Sequence, residues 1–498
     1  MSDPTAREAA QLVFPSFRFG HDDPERALAQ ADSGMGGFCL YGGETRQIAA
    51  FTTELQARAR TPLLFCADYE DGAASHCRGA TALPSNMGIA ASGRKELARL
   101  KAEITAREAL ALGVRWVLAP VVDLACEPMN PIVNVRSFGA DARVVTSFAR
   151  SYLDGLRRHG VLGCLKHFPG HGRTRLDSHL ELPVVRAARG LLASSDLAPF
   201  QALAARADSI MVAHLAIPAY GGGSMPFSLS PAASRLLRGR LKFKGLVATD
   251  ALDMRAITRR CPESAVAAQA LRAGADILLA PKNPERLAAG LCVALADPRL
   301  RLLAARALSR LRQAKEDAGL FQGAPGPRRR LLACVGGAPH QRMAERMAEA
   351  CLAWHGRSSA LTGRRLLYAE PGVAPRDWKG RDFLATLRSL GATVRPASEA
   401  SVRCGEPLVL GAFLRPRAYT GRIALDSQGL AEARTLASRA ATAIVTCFGS
   451  PFVMTGFPGR SGLCAFSGDA AAQSAAARAL LGCIPVTGRM PVTIAADQ

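Results

Sequence analysis

The sequence predicts an α/β protein in which a (β/α)8 barrel is followed by a smaller α/β sandwich domain, and three observations carry that expectation. Eight short apolar runs alternate with helix-like stretches before residue 320, the number a closed barrel needs within roughly 250 to 300 residues. Ionisable residues follow five successive runs, and the carboxyl ends of strands are where barrels of this kind carry their sites. A Gly/Pro-rich break, Gln322-Gly-Ala-Pro-Gly-Pro, then precedes a second alternation. The chain has 498 residues, too many for a single core, since cores stop growing near roughly 250 to 300 residues.

In order, the apolar runs are Leu12-Val-Phe, Gly37-Phe-Cys-Leu, Leu63-Leu-Phe-Cys, Trp116-Val-Leu-Ala, Val161-Leu-Gly-Cys-Leu, Ile210-Met-Val, Leu246-Val-Ala and Ile277-Leu-Leu-Ala. Helices are expected between them, for example over 94–112, where apolar residues recur near helical spacing, and over 231–240 behind a Ser230 cap. Asp68 follows the third run, Asp123 the fourth, Lys166 and His167 the fifth, His214 the sixth and Asp250 the seventh. A helix over 301–319 closes a first domain of residues 1–320, with a linker at 321–327 and a second domain at 328–498. In that second domain Leu331-Leu-Ala-Cys-Val, Leu366-Leu-Tyr, Pro407-Leu-Val-Leu, Ala443-Ile-Val-Thr-Cys and Leu463-Cys-Ala-Phe read as strands, with helices near 341–354 and 430–440.

Composition narrows the function classes. Apolar residues make up 49% and charged residues 21%, which is globular rather than disordered usage. No run of 18 apolar residues and no basic head followed by an apolar stretch occurs, so neither a membrane partner nor a secretory leader is expected and the location expected is cytoplasmic. The 13 cysteines are scattered singly without a Cys-x-x-Cys pair; they read as small buried hydrophobes rather than a disulfide framework or zinc cage. The net charge of +22 comes from 63 basic and 41 acidic residues, a balance that raises nucleic acid as a partner. The 55 Arg against 8 Lys, the longest basic run of only Arg328-Arg329-Arg330, and just 3 Trp and 6 Tyr for base stacking argue for a solvated basic surface, so no nucleic acid is expected.

The densest chemistry lies in Lys166-His-Phe-Pro-Gly-His-Gly-Arg-Thr-Arg-Leu-Asp-Ser-His179, a loop leaving a strand with three histidines, a lysine and an aspartate. His167, His171 and His179 lack the short helical His-x-x-x-His spacing of a zinc protease, so no metal is expected. In Gly245-Leu-Val-Ala-Thr-Asp250-Ala-Leu-Asp253-Met a buried strand ends in a carboxylate on the same side as that loop.

Lys166-His-Phe-Pro-Gly-His-Gly with Asp177-Ser-His179, Met211-Val-Ala-His214 and Thr249-Asp250-Ala-Leu-x-Met254 resemble glycoside hydrolase family 3, in its bacterial β-N-acetylglucosaminidase branch. The resemblance extends over Gln11-Leu-Val-Phe-Pro-Ser-Phe-Arg18, Pro62-Leu-Leu-Phe-Cys-Ala-Asp68-x-Glu70, Ala119-Pro-Val-Val-Asp123 and Asn134-Val-Arg136-Ser-Phe-Gly, and in the second domain over Gly449-Ser-Pro-Phe and Thr487-Gly-Arg-Met-Pro-Val-Thr. It implies a retaining mechanism with Asp250 as nucleophile and His179, oriented by Asp177, as general acid/base. A histidine suits that role because its unperturbed pKa near 6.5 lets it give and then take a proton at neutral pH. Carried over by motif position, Asp68, Arg136, Lys166 and His167 hold the sugar hydroxyls, with Asp123, His214 and Arg18 around them and no cofactor. The chain departs from the family pattern at Asp71, where a glycine is usual, and at His76, where an arginine is usual.

The resemblance implies an exo-acting β-N-acetylhexosaminidase whose substrate is an N-acetylglucosamine-containing glycoside or muropeptide, as in peptidoglycan recycling. Two alternatives stay open: a phosphorylase, in which phosphate replaces water, and a catalytically silent protein that binds sugar or RNA. The loop over 170–182 is expected to move and to close over bound sugar.

Overall fold

A computed structural model describes residues 4–221, 223–322, 326–357, 361, 363–402, 405–416, 419–421 and 423–494. All eight apolar runs become strands or strand edges of one parallel ring. β1 is Val13–Phe14 continued by Ser16–Arg18, and β2 to β8 are Gly37–Tyr41, Leu64–Ala67, Trp116–Val117, Cys164–Phe168, Ser209–Val212, Leu246–Thr249 and Leu278–Leu279. Pro15 splits β1 because it has no N–H to give the ladder; its first half pairs with β8 and its second with β2. Single bridges, Trp116 to Leu162 and Ala248 to Ile277, close the remaining gaps, so the barrel has no open edge.

The ring is filled, not hollow. Phe14, Cys39, Leu64, Cys66, Trp116, Cys164, Met211 and Leu246 form one buried cluster at its axis, and Phe14 meets Trp116 edge to face with ring centroids 6.0 Å apart. The polar end of Trp116 is satisfied by Ser209 Oγ at 2.8 Å, as a buried indole N–H requires. Seven of the twelve described cysteines are buried and all twelve are free; Cys126 and Cys483 are exposed, against the expectation for the whole set. The helix expected at 94–112 is Lys95–Ala111, and the one expected at 301–319 is Pro298–Asp317, which starts earlier because Asp297 caps it by accepting from Arg299 N. The segment behind Ser230 forms one α-turn, Pro231–Ser234, before widening to π spacing over Arg235–Arg240.

The second sheet holds β9 Ala353–His355, β10 Arg365–Ala369, β11 Thr393–Pro396, β12 Leu408–Ala412, β13 Ala443–Cys447 and β14 Ser461–Cys464. Their order is β9-β14-β13-β12-β10-β11, parallel except for β9 against β14. Alternate residues face opposite sides: Leu408, Leu410 and Val445 pack under helix Ser427–Arg439, while Val409, Ile444 and Leu463 pack under Arg381–Ser389 and Ala470–Leu480. The Leu331 run is not a strand. It is a 3₁₀ segment, Arg329–Cys334, in which Leu331, with Val335 just after it, packs partly buried against the barrel's own core, so tertiary packing overrides its β-like composition. The helix expected at 341–354 is Ala338–Cys351, cut short because residues 353 to 355 leave to pair with β14. Of the linker expected at 321–327, residues 323–325 lie outside the described residues. Met87 and Ala91 of helix Asn86–Ala91 enter the core of the second domain, and Ser85 N donates to Ser467 Oγ at 2.9 Å, fastening the two domains together.

Candidate active site

At the carboxyl ends of the barrel strands lies a pocket of about 560 Å³. Asp250, the residue after β7, forms its floor. Its Oδ1 accepts from Ala251 N at 2.8 Å. Burial alone would raise this carboxyl, but His214, His167 and His179 around it prevail and hold it at about 2. His214 itself does not reach the pocket: its Nε2–H donates to the Ala251 carbonyl at 3.0 Å and its Nδ1 accepts from Ser228 Oγ at 2.6 Å. It therefore fixes the turn that presents Asp250.

One wall is a chain of paired charges. Lys166 Nζ lies 2.6 Å from Asp68 Oδ1 and 2.5 Å from Glu70 Oε1, and Arg136 grips Glu70 with two N–H donors at 2.8 and 2.7 Å. Burial would raise Glu70, yet Arg136 and Lys166 hold it well below the usual carboxylate range; burial would lower Lys166, yet Asp68 and Glu70 raise it. Glu70, Lys166 and Arg136 are thus held ionised, and the paired wall is in place before any ligand arrives. Next to it, His167 Nδ1–H donates to Asp123 Oδ2 at 2.6 Å, turning Nε2 toward Arg136. Asp123 is fully buried and also accepts from His167 N and His171 N, so it anchors both ends of the turn that starts the long loop.

The loop reaches over the floor. Gly172 crosses the chain after β4 so closely that a Cβ there would lie 1.9 Å from Leu124 O, which only glycine avoids. Arg173 ties the loop to Asp196 at 2.8 Å and to Ser195 Oγ at 3.0 Å. His171, which burial and His167 push down to about 4, spends both ring nitrogens on Thr174 and Ser178 within the loop. At the tip, His179 Nδ1–H donates to Asp177 Oδ1 at 2.7 Å. Burial would raise Asp177, but His179 lowers it. With Nδ1 so occupied, Nε2 is the nitrogen left to the pocket.

Residues 6–300 match the model of the glycosyl hydrolase family 3 N-terminal domain. The chain belongs to glycosyl hydrolase family 3. It is 32% identical over 383 residues to a β-N-acetylglucosaminidase/β-glucosidase of Cellulomonas fimi, covering 74% of this chain and 65% of that one. A solved family 3 β-N-acetylglucosaminidase of Paenibacillus sp. superposes with a TM-score of 0.84 at 27% identity, each chain covered in full. A β-glucoside phosphorylase, BglX, superposes at 0.89 with 24% identity over 99% of this chain and 94% of that one, a likeness of fold. The chain spans between about half and two thirds of the length of the curated relatives it first matches.

Of the family positions expected from the sequence, Arg18, Asp68, Arg136, Lys166, His167, His179 and Asp250 line the pocket, while Asp123, Asp177 and His214 stand behind it as supports. Arg18 sits at the rim, paired with Asp253 at 2.8 Å. The departures from the family pattern have structural partners. Asp71 links the buried Lys101 at 3.0 Å to Arg415 of the second domain at 2.5 Å, and His76 lies in the pocket edge to face with Tyr41, its pKa lowered by burial.

Sequence reasoning missed Glu70 as a site residue, although it stood in a quoted motif, and missed Tyr41, Arg415 and Tyr419. Tyr419 packs its ring 4.8 Å from that of His179. The loop bearing Arg415 and Tyr419 follows β12, and Gly449 lets the chain after β13 press against it, since a Cβ there would lie 2.0 Å from Leu414 O. No local pattern marks such residues, because their place in the site comes from the docking of two domains.

Proposed function

We propose that the protein is an exo-acting, retaining β-N-acetylhexosaminidase that removes terminal N-acetylglucosamine, with peptidoglycan-derived muropeptides as its substrate class. The observation that carries this reading is one ionised carboxylate, Asp250, on the floor of a pocket whose rim presents a His179–Asp177 dyad. The names of the Cellulomonas and Paenibacillus relatives support the sugar. In this reading residues 1–320 form the catalytic domain, 321–327 the linker and 328–498 the second domain.

The first step is attack of an Asp250 oxygen on the anomeric carbon. The glycosidic C–O bond breaks, and the departing oxygen takes the proton from His179 Nε2. Asp177 opposes the charge of the imidazolium and fixes the ring. In the second step His179 Nε2 takes a proton from water, the hydroxide oxygen bonds to the anomeric carbon, and Asp250 leaves as a carboxylate. Two inversions return the original configuration. The low pKa of Asp250 serves both steps, since it is ionised as nucleophile and stable as leaving group. Asp68, Arg136, Lys166 and His167 hold the hydroxyls of the terminal sugar.

The histidine favours one second reading. Once it has given up its proton, a neutral imidazole puts no negative charge in the path of an incoming phosphate, whereas a glutamate does, and a phosphorylase would use that difference. Turnover of chromogenic N-acetyl-β-glucosaminide and β-glucoside, each with and without phosphate, separates the readings. Preference for the N-acetyl sugar with free sugar as product is expected. A glycosyl 1-phosphate product makes the chain a phosphorylase, preference for the glucoside overturns the sugar, and sugar binding without turnover makes it a silent binding protein.

A further inference from the structure

The end of the barrel opposite the active site holds a second polar cavity, of about 470 Å³, between Arg115, at the start of β4, and the chain that leads into the second domain. Its polar lining is Arg115, Gln322, Arg328 and Arg330, and none of the described residues lining it is acidic. Arg115 is 4% exposed. One of its nitrogens, Nη1, donates to Ala318 O at 2.9 Å, but its buried Nε has no hydrogen-bond partner. Among the described residues neither Arg115, Arg328 nor Arg330 pairs with a carboxylate. Other recessed cations of the barrel, Lys101, Lys166, Arg136 and Arg238, each meet an acid, and the buried Lys315 gives its Nζ to Gln11 Oε1 at 3.0 Å.

A buried guanidinium left without a counter-charge is costly, and a second one beside it adds repulsion. Burial lowers the pKa of Arg115, and the neighbouring Arg328 adds to that effect. The main chain nevertheless holds the group together: Arg328 N donates to Leu110 O at 2.8 Å, at the end of helix Lys95–Ala111. Three guanidinium groups lining one cavity, Arg115 buried, Arg328 half-buried and Arg330 exposed, suit a compact dianion, because guanidinium groups bind phosphate oxygens bidentately.

We propose that this cavity is a binding site for a small phosphate-bearing anion, taken up by Arg115, Arg328 and Arg330 at the base of the barrel. The recess favours a small molecule over a flat polyanion, and its volume admits a phosphomonoester as well as inorganic phosphate. A bound anion joins the base of the barrel to the chain entering the second domain, so occupancy stabilises the native protein by mass action.

The site is independent of the catalytic reading, and its test does not use turnover as its signal. Inorganic phosphate, glucose 6-phosphate and AMP are titrated calorimetrically into the full chain at constant ionic strength set with chloride, and into the Arg328→Gln/Arg330→Gln double variant. Binding to the wild type is expected, weakened at least about tenfold in the double variant, while hydrolysis of a chromogenic glycoside stays within about twofold. Tighter binding of an ester than of phosphate identifies the ester as the source, and equal binding identifies free phosphate. Arg115→Gln, checked for folding by its melting temperature, is expected to abolish binding. Equal phosphate affinity in wild type and double variant, as an anion held in the active site gives, or no binding of any of the three at about 20 mM, overturns the proposal.

Discussion

One oxygen of Asp177 holds His179 twice: Oδ1 accepts from the ring Nδ1–H at 2.7 Å and from the backbone N–H of the same residue at 2.8 Å. The Asp-Ser-His spacing makes this possible, since an aspartate reaches the amide two residues on as in an Asx turn. Ring orientation and main-chain turn are therefore fixed together. Tyr419 packs on the ring from the second domain, which leaves one direction for Nε2.

The dyad predicts a dependence on leaving group. His179→Ala is expected to slow hydrolysis of a natural disaccharide by about 10²- to 10⁴-fold and to spare the glycosylation step of a dinitrophenyl glycoside, whose leaving group departs without a proton. Asp177→Asn should give a milder loss of the same kind. Pre-steady-state bursts on the two substrates check this; equal losses on both would leave His179 as a sugar-binding or structural residue.

Asp250 and Asp253 are two carboxylates in one pocket with different partners. Asp250 is free to attack, while Asp253 is spent on Arg18 at the rim. Asp250→Ala is expected to abolish turnover by about 10²-fold or more on every substrate with inhibitor binding retained, and Asp253→Ala to keep activity within about tenfold. The reverse pattern in steady-state rates would move the nucleophile to Asp253.

The barrel was legible because its strands are buried on both faces and so read as continuous apolar runs, and the acid/base loop because Gly, Pro, His and Asp rarely crowd together without a site. What escaped has physical reasons. β11, Thr393–Pro396, is an exposed edge strand with no apolar run to mark it, and β9 is three residues paired against the direction of the rest. Leu331 looks like a strand residue because burial by the barrel and burial in a sheet select the same side chains. Asp123 and His214 were read as lying around the sugar, and the structure sets them one layer back, since sequence marks polar residues at strand ends but not which of them reach solvent.

The nucleophile also sets the acid limb of the pH profile. Asp250 sits at about 2 because three imidazoles outweigh its burial, so kcat/KM for a dinitrophenyl glycoside is expected to show no carboxylate limb between about pH 5 and 8. Replacing His214 by Gln removes the first-named of those imidazoles and should move the acid limb upward while leaving the rate at neutral pH within about threefold. A limb unmoved in that variant would show that His214 has no electrostatic hold on Asp250.

Stability should fall on the acid side for a separate reason. His171 is neutral in the fold, pushed down to about 4 by burial and His167, against about 6.5 in an unfolded chain. Its contribution is then fully present above about pH 6.5 and is lost as pH falls toward 4, where the unfolded chain binds the proton more readily. Urea midpoints measured across that window should decline in the wild type and decline less steeply in His171→Gln, whose side chain keeps hydrogen bonds but does not titrate. Parallel declines would assign the acid sensitivity to other groups.

The long loop decides how the acid/base reaches the glycosidic oxygen. Pro169, Gly170 and Gly172 break regular structure, yet Arg173 fastens the early part of the loop to Asp196, which is itself 1% exposed. Beyond Arg173, Arg175 meets Glu127 only at the surface, its side chain 73% exposed, and such a pair holds little. Motion is therefore expected to be confined to residues 175–182, with Arg173 as the hinge post. Hydrogen exchange should slow across 175–182 when an N-acetylglucosamine-like inhibitor binds, with little change at Leu246–Thr249. In Arg173→Ala the early part of the loop should begin to exchange as well, and the rate on a natural disaccharide should fall about tenfold or more while a dinitrophenyl glycoside is less affected, because a displaced acid costs most where the leaving group needs its proton. Full protection of 175–182 in the free protein would mean a site already closed around Nε2, and Arg173→Ala would then lower stability without separating the two substrates.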